Sequence, residues 1–287
     1  MTSLSETTAQ HTRMMKYTLE LDNARAWWGR SAEEVAGRDV VDRAFAGSWF
    51  GTKSLPRVRV LITNLRARFD AFPEALSVLR GWQEMEPGTR AAIGHWHTQL
   101  SDPIYRAFSG GLLVQRHDSA RGDVTRDMVI RWVGEHAPGR WTMATRAQLA
   151  TQLLVTAKAA GLIENLKDPR RLVFPRIDDH ALGYLLYLLR GVRCEGSLLD
   201  NPYLASVGLT PKLAEDRLRA VPGLRFSKQG DLIDFGWQFD CLESWAAAMG
   251  ITASTSPTST SPTSTSTSPT STSTSPTSTS HTGRGAV

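Results

Sequence analysis

Between Lys16 and Gly139 apolar residues recur at every third or fourth position, and no run alternates with period two. That spacing lays one apolar stripe along each of a series of helices and leaves no half-buried strand from which to build a sheet. Tyr17, Leu21, Ala24 and Trp28 share one helical face. Ala32, Val35, Val40, Ala44 and Phe45 outline the next, weakened at Gly37. Ser54 suits an N-cap, with Pro56 in the first turn of a third helix whose stripe is Val58, Leu61, Ile62, Leu65 and Phe69. Pro73 opens a helix running to Trp82 and Met85. Arg90 to Leu100 and Pro103 to Phe108 read as two shorter helices. Thr125 to His136 closes the set through Met128, Val129, Trp132 and Val133. An all-helical bundle is expected over residues 15–139.

After Gly139 a different order sets in, and it recurs. Thr142 or Thr145 begins a helix with Leu149, Leu153, Leu154, Ala157 and Ala160 on its apolar side, ending at Gly161, a residue suited to the left-handed cap position. Leu162 to Leu166 and Arg171 to Pro175 flank the turn Lys167-Asp168-Pro169-Arg170 and read as a small hairpin. Then Asp178 or Asp179 caps an apolar helix, Ala181 to Val192, and Leu198 to Val207 forms a short one. Thr210 and Pro211 start a third that breaks at Pro222-Gly223. Leu224-Arg225-Phe226 and Leu232 to Trp237 flank a second turn, Ser227 to Gly230. Helices with a glycine-containing turn before the last, followed by a hairpin, outline a helix-turn-helix with a wing. The expected fold is therefore mainly α. An N-terminal helical bundle precedes two winged-helix-like modules with small β-hairpins, at 140–178 (to which the helix 125–136 can be added) and 179–250. A final helix, Leu242 to Met249, packs back through Trp245.

The two ends are expected to stay outside this fold. Residues 1–14 are polar and without periodicity, and read as a disordered leader. Residues 251–287 are almost only Ser, Thr and Pro; they have nothing to bury and cannot offset the entropy of ordering. About 250 of the 287 residues remain to form a core, and a core of that size needs no disulfide or metal to hold it. Cys194 and Cys241 are too few for a disulfide framework or a structural zinc site, so semi-buried thiols, no metal and no cofactor are expected. The longest uncharged apolar run is nine residues, Ala181 to Leu189, against the roughly 20 a spanning helix needs. The N-terminus also lacks the apolar stretch of a signal peptide. No membrane partner and a cytoplasmic location are the expectation.

No phosphate-binding glycine loop, dinucleotide fingerprint, HExxH, GxSxG or CxxC occurs. The densest polar cluster is His95-Trp96-His97 with Gln99, Asp102, Tyr105 and Arg106. A hydrolase using His95 or His97 with Asp102 is one reading. The other has Trp96 and Leu100 packing inward while the histidines hydrogen-bond between helices. The second reading is preferred, so no enzyme and no small-molecule substrate are expected. The charge points elsewhere. Of a net +5, residues 140–238 carry 14 basic against 10 acidic residues, and residues 1–139 carry 18 against 16. From Lys53 to Arg68 there are five cations, Lys53, Arg57, Arg59, Arg66 and Arg68, and no acid. Such a run tracks phosphates or snorkels around a buried face. At the start of the central helix, Thr145, Arg146, Gln148, Thr151 and Gln152 could reach base edges and phosphates. Lys167, Arg170 and Arg171 sit on its wing tip. The second module offers Lys212, Arg217, Arg219, Arg225 and Lys228, but Glu215 and Asp216 share its helix and would repel phosphates.

Several stretches are similar to proteins of the BrxA family of BREX phage-defence systems. Trp49-Phe50-Gly51 with Ser54-Leu55 and the Arg/Leu-rich helix resembles their N-terminal part. Thr145-Arg146, Leu149-Ala150, Leu153-Leu154 and Ala160-Gly161-Leu162 resemble their central helix. Gln229-Gly230-Asp231-Leu232-Ile233 with Gly236-Trp237 is similar to their closing hairpin. The resemblance spans roughly residues 15–248. It implies a non-catalytic, helical, NusB-like accessory protein that binds double-stranded DNA through winged-helix parts and works with other BREX proteins. A protein-docking adaptor and a NusB-like RNA binder are the alternatives. The Ser/Thr/Pro tail departs from the family.

Overall fold

The computed structural model describes residues 4–30, 32–37, 39–229 and 232–251. The tail from Thr252, and Gly230 and Asp231 of the second turn, lie outside the described residues. The chain opens with β1 (Leu4–Ser5), followed by α1 (Leu21–Trp28), α2 (Ala32–Val35) and α3 (Val40–Ala46). Next come α4 (Leu55–Leu65), α5 (Pro73–Gly81), α6 (Pro87–Ser101) and α7 (Pro103–Ala107). The helix expected from Ala32 to Phe45 is thus two, parted around Gly37 at φ 92°. The one expected to end at Phe108 instead winds through a π-helical turn, Phe108–Leu112, into α8 (Leu113–His117). The middle of the chain holds β2 (Asp123–Val124), α9 (Arg126–His136), α10 (Met143–Ala159) and β3 (Arg170–Arg171). The C-terminal third holds α11 (Asp179–Arg190), β4 (Val192–Arg193), α12 (Pro202–Ala205), α13 (Pro211–Ala220), β5 (Leu224–Gln229), β6 (Leu232–Trp237) and α14 (Leu242–Ala248). The fold is mainly α with three small strand pairs among the described residues. No described helix is long and apolar enough to cross a membrane.

Several helix starts are capped, each cap satisfying a backbone N–H left open there, whereas the Ser54 and Thr210 side chains make no cap bond. Thr125 accepts from the Met128 amide, Thr142 from that of Thr145 and Asp178 from that of Ala181. Pro56, Pro73 and Pro211 stand in first turns, where their missing N–H costs nothing.

The apolar core divides the chain differently from the expected boundary at residue 139. One core joins Tyr17 to Leu100 with Ile177 to Ile251, so the helical bundle and the C-terminal module bury their faces against each other. The second is built from Ile104 to Leu172 with Met14 and Leu19. The crossings fall at the Asp102-Pro103 joint, where the Asp102 carboxylate caps α7 through the Ile104 and Tyr105 amides, and in the 173–177 linker. The central module thus begins with α7 and α8, which the sequence pattern placed in the bundle.

The leader is a correction. Leu4 and Ser5 pair in parallel with Val192 and Arg193. Glu6 is buried against Arg106 at 3.4 Å and accepts from the Tyr203 hydroxyl. The Thr7 amide donates to Leu100 O at 2.8 Å, and Met14 is buried against α10, accepting from Thr156 Oγ1. Polar composition here means paired backbone and a neutralised buried charge.

Candidate nucleic-acid interface

In the central module α8 leads through β2 into α9, a turn and α10; the chain then returns past Ile163 and a loop to β3. β2 pairs antiparallel with β3, Asp123 opposite Arg171, and Ile163 bridges Leu172. β3 is therefore flanked on both sides, by a strand from before the helices and by one residue from after them. The expected hairpin from 162 to 175 is reduced to that single bridge. Glu164 to Pro169 form an exposed loop.

Helix α10 buries Leu149, Ala150, Leu153, Leu154 and Ala157 and turns Ala144, Gln148, Thr151 and Lys158 outward. It has no acidic residue in 17. Thr145 and Gln152 are half-buried at the edges of that face. Arg146 folds back, its Nε donating to Trp141 O at 3.0 Å while its guanidinium lies over Gly134. Arg126, not anticipated from the sequence, reaches across from α9. Its Nε donates to Thr151 Oγ1 at 3.0 Å and an Nη to Ala147 O at 3.3 Å. Its own amide donates to the Asp168 carboxylate at 3.1 Å, tying the loop to the start of α9. The signal for Arg126 was its place one residue after the Thr125 cap.

On the loop, Lys167 is exposed and has no acidic partner among the described residues, and the Arg171 side chain is 74% exposed although Glu164 lies 3.6 Å away. Arg170 is a correction. It is 8% exposed and paired with Asp168, because β3 turns it inward.

The C-terminal module follows the same order, α11, β4, α12, α13, β5, β6, but its hairpin is a full six-residue ladder from Leu224 opposite Trp237 to Gln229 opposite Leu232. Its cations are mostly engaged. Lys228 binds Glu215, Arg219 lies 2.9 Å from Asp216, and Arg217 lies 2.8 Å from Asp179. Lys212 and Arg225 are exposed. Two apolar side chains also stand outward, Leu213 at 61% and Ile233 at 40%.

The five cations around α4 do not form one surface. Arg68 is a correction: it is 4% exposed, its guanidinium lying 4.5 Å over the Tyr17 ring and donating to Leu19 O and Thr18 O. Burial lowers its pKa and pushes that of Tyr17 up to about 12. Arg57 is held by Glu20 and Lys16 O, and Arg66 by Val35 O at 2.8 Å with Asp70 nearby. Arg59 is exposed and Lys53 half-buried.

The histidines bridge helices. His95 accepts from the Tyr105 hydroxyl at Nδ1 and donates from Nε2 to Ser206 Oγ, whose own proton goes to Tyr203 O. His97 donates from Nδ1 to Arg68 O and accepts from the Tyr184 hydroxyl at Nε2. Both are fully buried, which lowers their pKa to about 3 and keeps them neutral. Asp102 meets neither; the imidazole near it, at 3.5 Å, is His11. No group of three or more potential metal ligands occurs among the described residues.

No protein-family model and no curated protein matches the chain. Among solved structures it is similar to the crystal structure of an uncharacterized protein from Magnetospirillum magneticum, with 18% identity and a TM-score of 0.49 over 63% of this chain and 97% of that one.

Proposed function

We propose that the central module is a winged helix that binds double-stranded DNA without catalysis, α10 entering a major groove and the 164–169 loop serving as the wing. The observation that carries this reading is the outward face of α10. A 17-residue helix free of acids, carrying Gln148, Thr151 and Lys158 outward, is framed by the wing cations Lys167 and Arg171. Phosphate contacts by such cations set affinity, and the few base-reaching side chains give weak sequence selectivity. The order helix, strand, helix, turn, helix, bridging residue, loop, strand supports the winged-helix assignment. Arg126 is a positioning residue, holding Thr151 on the reading face.

The motifs that resemble those of BrxA proteins support a role for this binding in a BREX-type defence system, the protein helping larger components assemble on DNA. The exposed Leu213 and Ile233 beside neutralised cations favour a second role for the C-terminal module, contact with another protein. The test is fluorescence anisotropy with a random-sequence duplex across a salt series. Affinity should fall steeply with salt and fall again with Lys167→Glu and Arg171→Glu. Absence of binding at about 50 mM salt, where such contacts are strong, overturns the DNA reading and leaves the docking role.

A further inference from the structure

The N-terminal segment and α4 enclose a groove that the duplex reading above does not use. Its volume is about 440 Å³, within the roughly 300–1,000 Å³ of small-molecule sites. One wall is the stretch from His11 to Lys16; the other is the face of α4 that bears Arg59, Thr63 and Asn64. Arg13, Lys16 and Arg59 stand exposed along it, and no carboxylate lines it.

What separates these three cations from their neighbours is that no carboxylate or carbonyl among the described residues holds them. Arg57 is held by Glu20 and Lys16 O, Arg66 by Val35 O, and Arg68 by Leu19 O and Thr18 O. Arg13 has one polar side-chain contact, His11 Nε2 at 3.3 Å, and none of the three has an acidic partner among the described residues. The geometry is also fixed. The Arg57 guanidinium holds the Lys16 carbonyl at 2.8 Å, and His11 donates from Nε2 to Ser101 O at 2.9 Å, so both ends of the leader wall are pinned. Three like charges facing one groove repel one another and raise the local potential for an anion.

We propose that this groove binds an anion carrying two or more linked phosphates. Two guanidinium forks match phosphate oxygens in pairs, and the ammonium of Lys16 adds a point charge. The hydroxyl of Thr12 borders the same space and can donate to a remaining oxygen, while that of Thr63 donates to Arg59 O at 2.9 Å. The volume exceeds a single phosphate, and the charges are spread along the groove. The phosphates belong either to a free oligophosphate compound or to a nucleic-acid backbone.

The full-length chain decides between these sources. Calorimetry with tripolyphosphate and anisotropy with a labelled duplex are run on the native protein, on the triple variant Arg13→Ala, Lys16→Ala, Arg59→Ala, and on Lys167→Glu with Arg171→Glu. Tripolyphosphate binding that weakens at least about tenfold in the triple variant, and is unchanged in the wing variant, establishes a free oligophosphate ligand. It does so even if the duplex fails to bind and the central-module reading falls. No tripolyphosphate binding, but a duplex salt slope lower by about three in the triple variant, establishes backbone phosphates. The triple variant should melt with the native protein, since all three side chains are exposed, and Arg59→Lys should retain part of the affinity. If the triple variant binds both probes as the native protein does, or neither probe binds the native protein, the proposal is wrong.

Discussion

The central and C-terminal modules run through the same order of elements and differ in two respects that decide what each is free to do. The first is ownership of the core. The central module closes on itself: β2 pairs with β3, and its apolar residues form their own cluster. In the C-terminal module β4 pairs with β1 from the far end of the chain, and its helices share a core with the bundle. The second is charge. Helix α10 has no acid, whereas α13 carries Glu215 and Asp216, which absorb Lys228 and Arg219. Order of elements gives a shape; the third helix's charge and the location of the core decide whether that shape presents a surface or fills an interior.

The largest effect expected from this difference is on stability. Trp245 is fully buried, and its Nε1 donates to Pro222 O at 3.0 Å. Trp245→Ala should cost about 3–5 kcal/mol. Because its core contains Trp27 and Trp28, the bundle should loosen with it. Leu153→Ala, in the central core, should cost about 2–5 kcal/mol and be felt in the central module first. Hydrogen exchange on both variants checks this: equal loss of protection throughout the chain for both would show that the two cores unfold as one and break the comparison.

Binding should split the modules next. Lys167→Glu with Arg171→Glu should lower duplex affinity on the order of a hundredfold at low salt, through lost phosphate contacts. Lys212→Glu with Arg225→Glu, the exposed cations of the other module, should change it by less than about threefold. Equal losses from the two pairs would mean that both wings lie on DNA.

Acid should separate the cores as well. His97 binds Tyr184 of the C-terminal third, His95 links Ser206 there to Tyr105 of the central core, and burial lowers both pKa values to about 3. Between that value and the unfolded value near 6.5, only the unfolded chain takes up these protons. Stability is therefore present above about pH 6.5 and falls as pH drops, by about 1.4 kcal/mol per pH unit for each histidine. Asp102, its pKa raised by burial, works in the opposite direction and offsets part of this. The shared core should lose its near-ultraviolet dichroism at higher pH than the central module loses exchange protection, and a coincident loss would argue against separate cores.

Much of this arrangement could be read from the residues, but not the part that depends on distant partners. Caps at Thr142 and Asp178 were legible because a capping side chain serves amides two or three residues away. The outward places of Gln148 and Thr151 followed from the 3.6-residue period of α10. The leader was missed because its order comes from partners 90 to 190 residues away: Ser101 for His11, Arg193 for Ser5 and Arg106 for Glu6. Arg68 and Arg170 looked like surface cations for the same reason. Arg68 binds the Thr18 and Leu19 carbonyls about 50 residues away, and Arg170, though paired with nearby Asp168, is turned inward by the pairing of β3 with β2. Arg13 and Lys16 escaped notice because a groove has two walls, and only α4 announced its own.

Two glycines should respond differently to one added methyl. A Cβ at Gly183 of α11 would lie 2.5 Å from the Trp245 ring, which is wedged in the shared core. Gly183→Ala should therefore cost about 1–3 kcal/mol from overpacking. A Cβ at Gly134 of α9 would meet only the Arg146 guanidinium at 2.6 Å, the far end of a flexible chain. Gly134→Ala should be neutral, or stabilising by up to about 1 kcal/mol, as the helix gains a better former. Thermal unfolding of the two variants measures the contrast, and a large loss at Gly134 would mean that the central core is as tightly set as the shared one.

The smallest effect bears most directly on charge. If acids alone keep α13 off DNA, then Glu215→Gln with Asp216→Asn releases Lys228 and Arg219 from their ion pairs. Both cations lie at or near the surface, so folding stability should change by less than about 1 kcal/mol. Duplex affinity should rise a few-fold at low salt, and the salt slope should steepen by about one for each cation that gains a phosphate. A rise in affinity with an unchanged slope would not qualify, because freed cations must displace counterions. If neither changes, the modules differ by geometry rather than by charge. The parallel pairing of β4 with β1 would then be the restraint, holding the C-terminal module against the bundle while the central module stays free to reach a duplex.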